Sequence, residues 1–592
     1  MKMLKQTKEE RRIASGAGIL LVGSVVAKML GALYRIPLTN VLGAEGMGMY
    51  QLVFPVYALF MVLATAGIPT ALSRIVAEKR ALGEDSKKYF AVAMTALLSL
   101  GLIFGALIAS LSRFLAQKQG NADTYQGFLA ISPAIVCVCV ISGFRGLFQG
   151  QMYMLPTALS NVIEQVVKLS VGLALAYALS KRGIVASVCG ALLGVTASEA
   201  VTVLYMLFTY LFRAKKAKKT AYISTIATEK ATENPVDFCA QNQEKVVEKG
   251  RIECEKSGKK AAKNAVFLHE NMPKTTSETV RKTVSKAEIF CMLRISLPIA
   301  AVAVLMPLSS FFDSVIIVNM LKLFGLEKGI ATAQYGIISG PVNSLVNMPV
   351  VAIMSLAVAI VPSVSASRVT HDIDGVMLKS SLCVRLAYLL GVPFAFFLAV
   401  FAPRIIGAIY PSLSPQNAIV ATNVLRITSA NVVFLSVMQI YISLLQALDK
   451  TKYAVLSLVC AIIVKITFDV LLTKRMGING AAIASLALPV AAYLGTMTAY
   501  FKICGLRLEK NVGLNLLSGV IMALCGIAVT SFFQNDMLAI VVGFLVCFAV
   551  YVWLAFFFNL VSKDDIPHLP LKKLLWALHR TIRFWEYKDE TR

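Results

Sequence analysis

Two lysines stand where lysine is costly. Lys168 and Lys465 each lie near the middle of an apolar stretch of bilayer-spanning length, in matching text: Val167-Lys168-Leu169 and Val464-Lys465-Ile466. A charge at membrane depth costs roughly 2.5–3.5 kcal/mol on insertion scales, so it is usually retained for function. Each lysine has an acid four residues away, Glu164 before Lys168 and Asp469 after Lys465. Opposite charges at that spacing meet on one helix face. Each pair therefore either neutralises itself or orients its lysine toward a wet cavity, where a phosphate could compete for the ammonium. Lys28 and Arg35 are seven apart, nearly on one helical face, and Arg145 lies within Gly143-Phe144-Arg145-Gly146. For Arg35 and Arg145 the competing account is snorkelling to the membrane edge. Lys28, Arg35, Arg145, Lys168 and Lys465 are the candidate lining of a cationic cavity, and such a cavity points to an anionic substrate. Asp313 is a separate intramembrane acid. With Asp469 it could form a cation site, or Lys465 could fill that site as a tethered cation. Glu199 is a further intramembrane acid with no obvious partner in the sequence.

These residues need helices to carry them. The chain has 592 residues, 57% hydrophobic and 15% charged, against about 25% charged in soluble proteins. Apolar runs of roughly 20 residues, each able to cross about 30 Å of hydrocarbon, recur along nearly the whole length. The pattern is an all-α polytopic membrane protein, not the alternating strands of a barrel. Fourteen spans are predicted, near 16–40, 49–74, 88–113, 125–150, 156–180, 184–212, 290–318, 334–362, 377–402, 417–447, 453–473, 480–503, 512–533 and 537–560. The net charge of +26 is read as basic cytoplasmic loops and not as a nucleic-acid surface. Lys/Arg-rich loops fall on one side if the count is fourteen, which places both termini in the cytoplasm. The 11 cysteines form no CxxC pair and are read as reduced and apolar.

The chain repeats itself. Ile68-Pro69 with Ser73-Arg74 recurs as Val361-Pro362 with Ser367-Arg368, and Gln149 precedes Lys168 by the same interval that separates Gln446 from Lys465. The predicted organisation is an N-terminal six-helix lobe (1–212), a flexible basic cytoplasmic insert (213–289), a C-terminal six-helix lobe (290–503), two additional spans (504–562) and a cytoplasmic amphipathic tail (563–592). Six spans per half relate the lobes by an axis along the membrane normal, an arrangement suited to alternating access. Pro55, Gly67 and Pro69 in the second span, and Gly340, Pro341, Pro349 and Pro362 in the eighth, mark helices that can bend. There is no GxxxxGK[ST], HExxH or GxSxG motif, so no enzyme activity is expected.

Several passages together resemble the stage V sporulation protein B family. They are Ala27-Lys28 through Tyr34-Arg35-Ile36-Pro37, Leu42-Gly43-Ala44-Glu45-Gly46-Met47-Gly48-Met49-Tyr50, Gly67-Ile68-Pro69-Thr70-Ala71-Leu72-Ser73-Arg74 and Phe144-Arg145-Gly146-Leu147-Phe148-Gln149-Gly150. That family belongs to the multidrug/oligosaccharidyl-lipid/polysaccharide exporter superfamily and is related to the lipid II flippases. The resemblance implies a bacterial inner-membrane protein that moves a polyprenyl-pyrophosphate-linked sugar, most plausibly the peptidoglycan precursor lipid II. It implies a cationic central cavity with Arg35 near it. It also matches Asp313 and the pair Lys465/Asp469 to a sodium site of some relatives, with the lysine a departure. Two further departures are Met49-Tyr50-Gln51, where relatives carry an acid, and Asn343-Ser344 or neighbours, where they carry an arginine. Lys168 and Lys465 are expected to supply the missing positive charge.

The expected cargo is a lipid-linked anionic oligosaccharide, with membrane lipids as surroundings and no nucleic acid. No cofactor is expected beyond Na+ or H+ as a coupling ion. The alternatives are a capsule or teichoic-type precursor flippase, a cation-coupled multidrug exporter, and a non-transporting scaffold that uses the 213–289 insert.

Overall fold

A computed structural model describes the backbone of residues 2–65, 67–82, 84–233, 286–370, 372–505 and 511–560, together with Trp576 and Thr581. Among these residues there is no strand. In chain order the helices are α1 (Lys2–Thr65), α2 (Ile68–Ala81), α3 (Lys87–Lys118), α4 (Tyr125–Gly150), α5 (Leu155–Ser180) and α6 (Ile184–Glu233). The second half continues with α7 (Lys286–Leu323), α8 (Lys328–Ile337), α9 (Asn343–Val369), α10 (Ile373–Val400), α11 (Ala402–Ile409), α12 (Pro415–Thr428) and α13 (Asn431–Ala447). It closes with α14 (Thr451–Met476), α15 (Ile478–Cys504), α16 (Val512–Thr530) and α17 (Asp536–Phe557). Met1–Leu204 and Cys291–Arg592 form one packed unit, and Tyr205–Phe290 form a second.

Twelve helices are long and apolar enough to cross a membrane, or thirteen if the bent pair α12 and α13, which turns by 43°, is one span. The predicted count of fourteen departs from this at the N-terminus. There the predicted spans 16–40 and 49–74 fall in one run, Gly18–Ala81, of 64 residues. At about 1.5 Å per residue such a helix would reach about 96 Å, three times the hydrocarbon thickness. Its backbone breaks at Gly43 (φ 67°, ψ −176°) and again at Gly67 (φ 73°). The Gly43 conformation is essentially closed to residues with a Cβ. The surface agrees with a bilayer: Val22, Ile103, Leu204, Ile463, Leu524 and Leu545, on different spans, are each at least 60% exposed, as lipid-facing side chains would be.

Packing between spans uses small residues, as expected where lipid supplies no hydrophobic drive between helices. On α1, Gly23 and Gly31 lie against Ala158 and Gln165 of α5, so the two helices run parallel. The α5–α6 contact brings Gly194 onto the backbone of Gly172. The insert expected to be flexible from residue 213 begins instead as a continuation of α6 to Glu233. The rest of it (234–285), and the tail after residue 560 apart from Trp576 and Thr581, lie outside the described residues.

Candidate functional site

The inner faces of both halves enclose a cavity of about 450 Å³. Helical periodicity explains which residues reach it. Gln51, Phe54, Pro55 and Ala58 come from the second part of α1, and Met306, Ser310, Asp313 and Ile317 from α7. The segment from α8 into α9 contributes Tyr335, Ser339, Asn343 and Asn347. It passes through a π-helical turn at Ile338–Val342 that contains Pro341, a distortion common beside functional sites. Lys465 and Asp469 enter from α14, and Ser485 and Pro489 from α15.

Four charged side chains line the cavity: Arg35, Asp313, Lys465 and Asp469. They differ sharply in how they are compensated. Lys465 Nζ donates to Asp313 Oδ1 and, at 2.9 Å, to Asp469 Oδ2. Its side chain is 7% exposed, Asp469 is 1% and Asp313 25%. The ammonium thus sits between the two acids, the tethered-cation arrangement among the alternatives above. Arg35 forms no ion pair among the described residues; its NH1 reaches Ser344 Oγ at 3.4 Å. That serine hydroxyl is already donated to the Gly340 carbonyl, at 2.7 Å. Three nearly buried polar atoms in the lining have no partner: Gln51 Nε2, Asn431 Oδ1 and Asp469 Oδ1.

The other expected cavity residues are placed elsewhere. Lys168 and Arg145 are not part of this lining. They meet in a second cluster in the first half, where Glu164 takes Arg145 NH2 at 3.2 Å and Lys168 Nζ at 3.7 Å. Ser160 Oγ accepts from Arg145 Nε at 3.1 Å, and Gln165 Nε2 donates to Glu164 at 2.9 Å. Glu199, 3% exposed, lies within electrostatic range of Glu164, Lys168 and Arg145. Lys28 is exposed, two helical turns before Arg35 on the same face of α1. The repeat made Lys168 and Lys465 look equivalent, yet Lys465 faces the cavity and Lys168 is held by its own lobe.

Side-chain bonds between the two halves concentrate at one end, around residues 118–124 and 319–332. Gln119 Nε2 donates across to Ser314 Oγ at 2.8 Å, as well as to Leu52 O of its own half at 2.9 Å, and Asn121 Nδ2 donates to Thr332 Oγ1 at 3.2 Å. Asn319 Nδ2 donates to Lys118 O at 2.7 Å, and Lys328 Nζ pairs with Asp123 at 2.6 Å. Behind them α1 crosses α8 with almost no clearance. A Cβ on Gly48 would collide with the Thr332 carbonyl, and one on Gly336 would lie 2.7 Å from Gly48 Cα. This seal was not legible in the sequence; its signal is small residues in two segments with no sequence kinship.

The fold is that of an all-α polytopic membrane protein with a cavity between its two halves. With the lipid II flippase MurJ, solved in an inward closed conformation, the chain superimposes with a TM-score of 0.64, 13% identity, and 91% and 98% of the two chains covered. Sequence comparison is narrower. Residues 13–229 match the family model described as polysaccharide biosynthesis protein, and residues 272–552 the one described as lipid II flippase MurJ. Stage V sporulation protein B of Bacillus subtilis (strain 168) is 26% identical over 580 residues, 96% of this chain and 99% of that protein. Lipid II flippase MurJ of the same organism is 24% identical over 537 residues, 88% of each. The resemblance to stage V sporulation protein B therefore runs along almost the entire chain.

Proposed function

We propose that this protein is a flippase for a polyprenyl-diphosphate-linked oligosaccharide, with lipid II the favoured cargo, working by alternating access in a bacterial cytoplasmic membrane. The observation that carries the reading is Arg35: a guanidinium in the cavity wall without a carboxylate partner among the described residues. A planar, permanently charged fork is suited to bidentate recognition of phosphate. Lys28, exposed on the same face, extends that positive track toward the N-terminal end of α1. The sequence relatives support a lipid-linked cargo, since one of them is a lipid II flippase. With both termini cytoplasmic, the sealed end faces outward and the cavity takes cargo from the cytoplasmic side. A cation-coupled drug exporter fits less well, because Lys465 occupies the space between the two cavity acids. No coupling ion is then required at that site, and the membrane potential, worth about 2.3 kcal/mol per charge per 100 mV, can drive an anionic headgroup outward.

The test is rescue of a bacterium depleted of its own lipid II flippase, scoring lipid II on the outer leaflet. Wild type should restore exposure, and Arg35→Ala at equal abundance should not. A well-expressed wild type that exposes no lipid II would overturn the cargo assignment.

A further inference from the structure

The first part of α1, which carries Arg35, ends at the Gly43 break, and its last turn is tied to the other half. Asn40 Nδ2 donates to the Ile409 carbonyl at 3.0 Å, and Asn40 Oδ1 accepts from Ser412 Oγ at 2.8 Å. Ile409 is the last residue of α11, so its carbonyl is one of those a helix leaves unpaired at its C-terminus. The tie lies at the sealed end: Glu45, a few residues on, stands beside Gly329, the neighbour of the seal residue Lys328. α11 is only 8 residues long, and its other end is fastened to α16 and α17. Arg404 NH1 donates at 2.9 Å to the carbonyl of Thr530, the last residue of α16, and Arg404 Nε lies 3.8 Å from Asp536 Oδ1, on the first residue of α17. A cation at one helix C-terminus and an acid at the next N-terminus suit both helix dipoles. Phe401, just before α11, fills a notch made by two glycines. A Cβ on Gly526 of α16 would lie 3.3 Å from its ring, and one on Gly543 of α17 only 2.8 Å. Packing and charge thus lock α11 onto the appended pair, and the Asn40 bonds hold it to α1.

We infer that α11 is a strap through which α16 and α17, which lie outside the repeat, hold the sealed end shut. The Asn40 tie joins the two halves, so it has to part when the cavity opens at this end. The Arg404 and Phe401 contacts lie within the second half and its appended pair, and they persist as the halves separate. The strap therefore moves as one piece with α16 and α17, and loosening either of its fastenings favours the opened state. Asn40 and Arg404 are positioning residues, since neither lines the cavity. The inference rests on the alternating-access reading above and gives a part in gating to two helices that the repeat does not explain.

The experiment measures the distance between spin labels on bioorthogonal residues at Ala122 and Glu327, beside the seal and off the strap, in the purified full chain in nanodiscs. Wild type should show a short major population and a longer minor one. Asn40→Ala, which loses both bonds, should raise the longer population about tenfold relative to the short one, the scale of one to two neutral hydrogen bonds. Arg404→Ala should move the ratio the same way by less. The double variant should match Asn40→Ala, because the two fastenings act in series and their effects are not additive. Ser412→Ala, an exposed change that leaves the Ile409 bond, should give a smaller shift and guards against misfolding. A ratio that stays at the wild-type value in Asn40→Ala and Arg404→Ala, whatever their unfolding midpoints, would overturn the strap while alternating access stands, as would shifts that add in the double variant. A single short distance in every variant would overturn both.

Discussion

Replacing Lys465 by methionine should destabilise the protein by about 3–5 kcal/mol, the range for breaking a buried ion pair from one side. The structure allows the figure to be checked. Asp313 and Asp469 both accept from one nitrogen, so their bonding oxygens are about 6 Å apart at most, given ordinary hydrogen-bond lengths. Two negative charges at that separation repel by about 3 kcal/mol at an effective dielectric of about 20. Asp469, fully buried, adds a desolvation cost that the ammonium no longer offsets. The same reasoning gives the sign of the rescue. Lys465→Met with Asp469→Asn should recover at least half of the loss, and adding Asp313→Asn should return stability to about the wild-type level, because a neutral replacement of a buried ionic cluster is often no worse than the cluster. Thermal and denaturant unfolding in detergent, followed on all three variants, reads this directly. A Lys465→Met protein that unfolds with the wild-type midpoint would refute the reasoning, as would additive losses along the series.

Other consequences are as direct. Glu164→Gln removes the carboxylate that pairs directly with both Arg145 and Lys168, and should cost about 3 kcal/mol, partly restored by Lys168→Met; the same unfolding assay decides it. Gly48→Val should keep α1 and α8 apart, since even a Cβ collides with Thr332. Spin labels at Ala122 and Glu327 should then report a longer distance than in the unsubstituted chain, and an unchanged distance would mean the crossing tolerates bulk. Exchanging Na+ for K+ should leave the transport rate in vesicles unaltered, because Lys465 already lies between the two acids. A strong sodium requirement would show that the lysine leaves that position during the cycle.

The membrane class, the spans and the charged pairs could all be read from the chain, because each depends on local text. Apolar runs of bilayer length and acids four residues from lysines leave little choice of geometry. What the sequence could not settle was which neighbours those pairs acquire. Lys168 and Lys465 share a register in the repeat, yet Asp313 arrives at Lys465 from α7, while Arg145 arrives at Glu164 from α4. Those contacts are set by helix packing over long sequence separations. Asn431 carries no signal in the sequence, and Gln51 and Ser344 enter there only as departures from the relatives' pattern, for the same reason: a serine or an amide on a long apolar helix is unremarkable until its facing partner is known. The break at Gly43 falls in the gap expected between spans 16–40 and 49–74, but the residue itself was hidden, since glycine is common in spanning helices and the signal lies in one backbone angle.

The seal made by Gln119 with Ser314, Asn121 with Thr332, Asp123 with Lys328 and Asn319 with the Lys118 carbonyl uses side chains that do not line the cavity. On the proposed alternating-access cycle, its strength would set how long the empty protein waits on one side of the membrane, and the cavity how firmly cargo is held. Two quantities that many carriers must adjust together are here assigned to separate residues. Substitutions at the seal should shift the resting population between the two access states without altering the intrinsic affinity of either. Selection, or an engineer, can therefore retune the rate of the cycle while the recognition chemistry stays as it is, the direction of flow being set by the driving force.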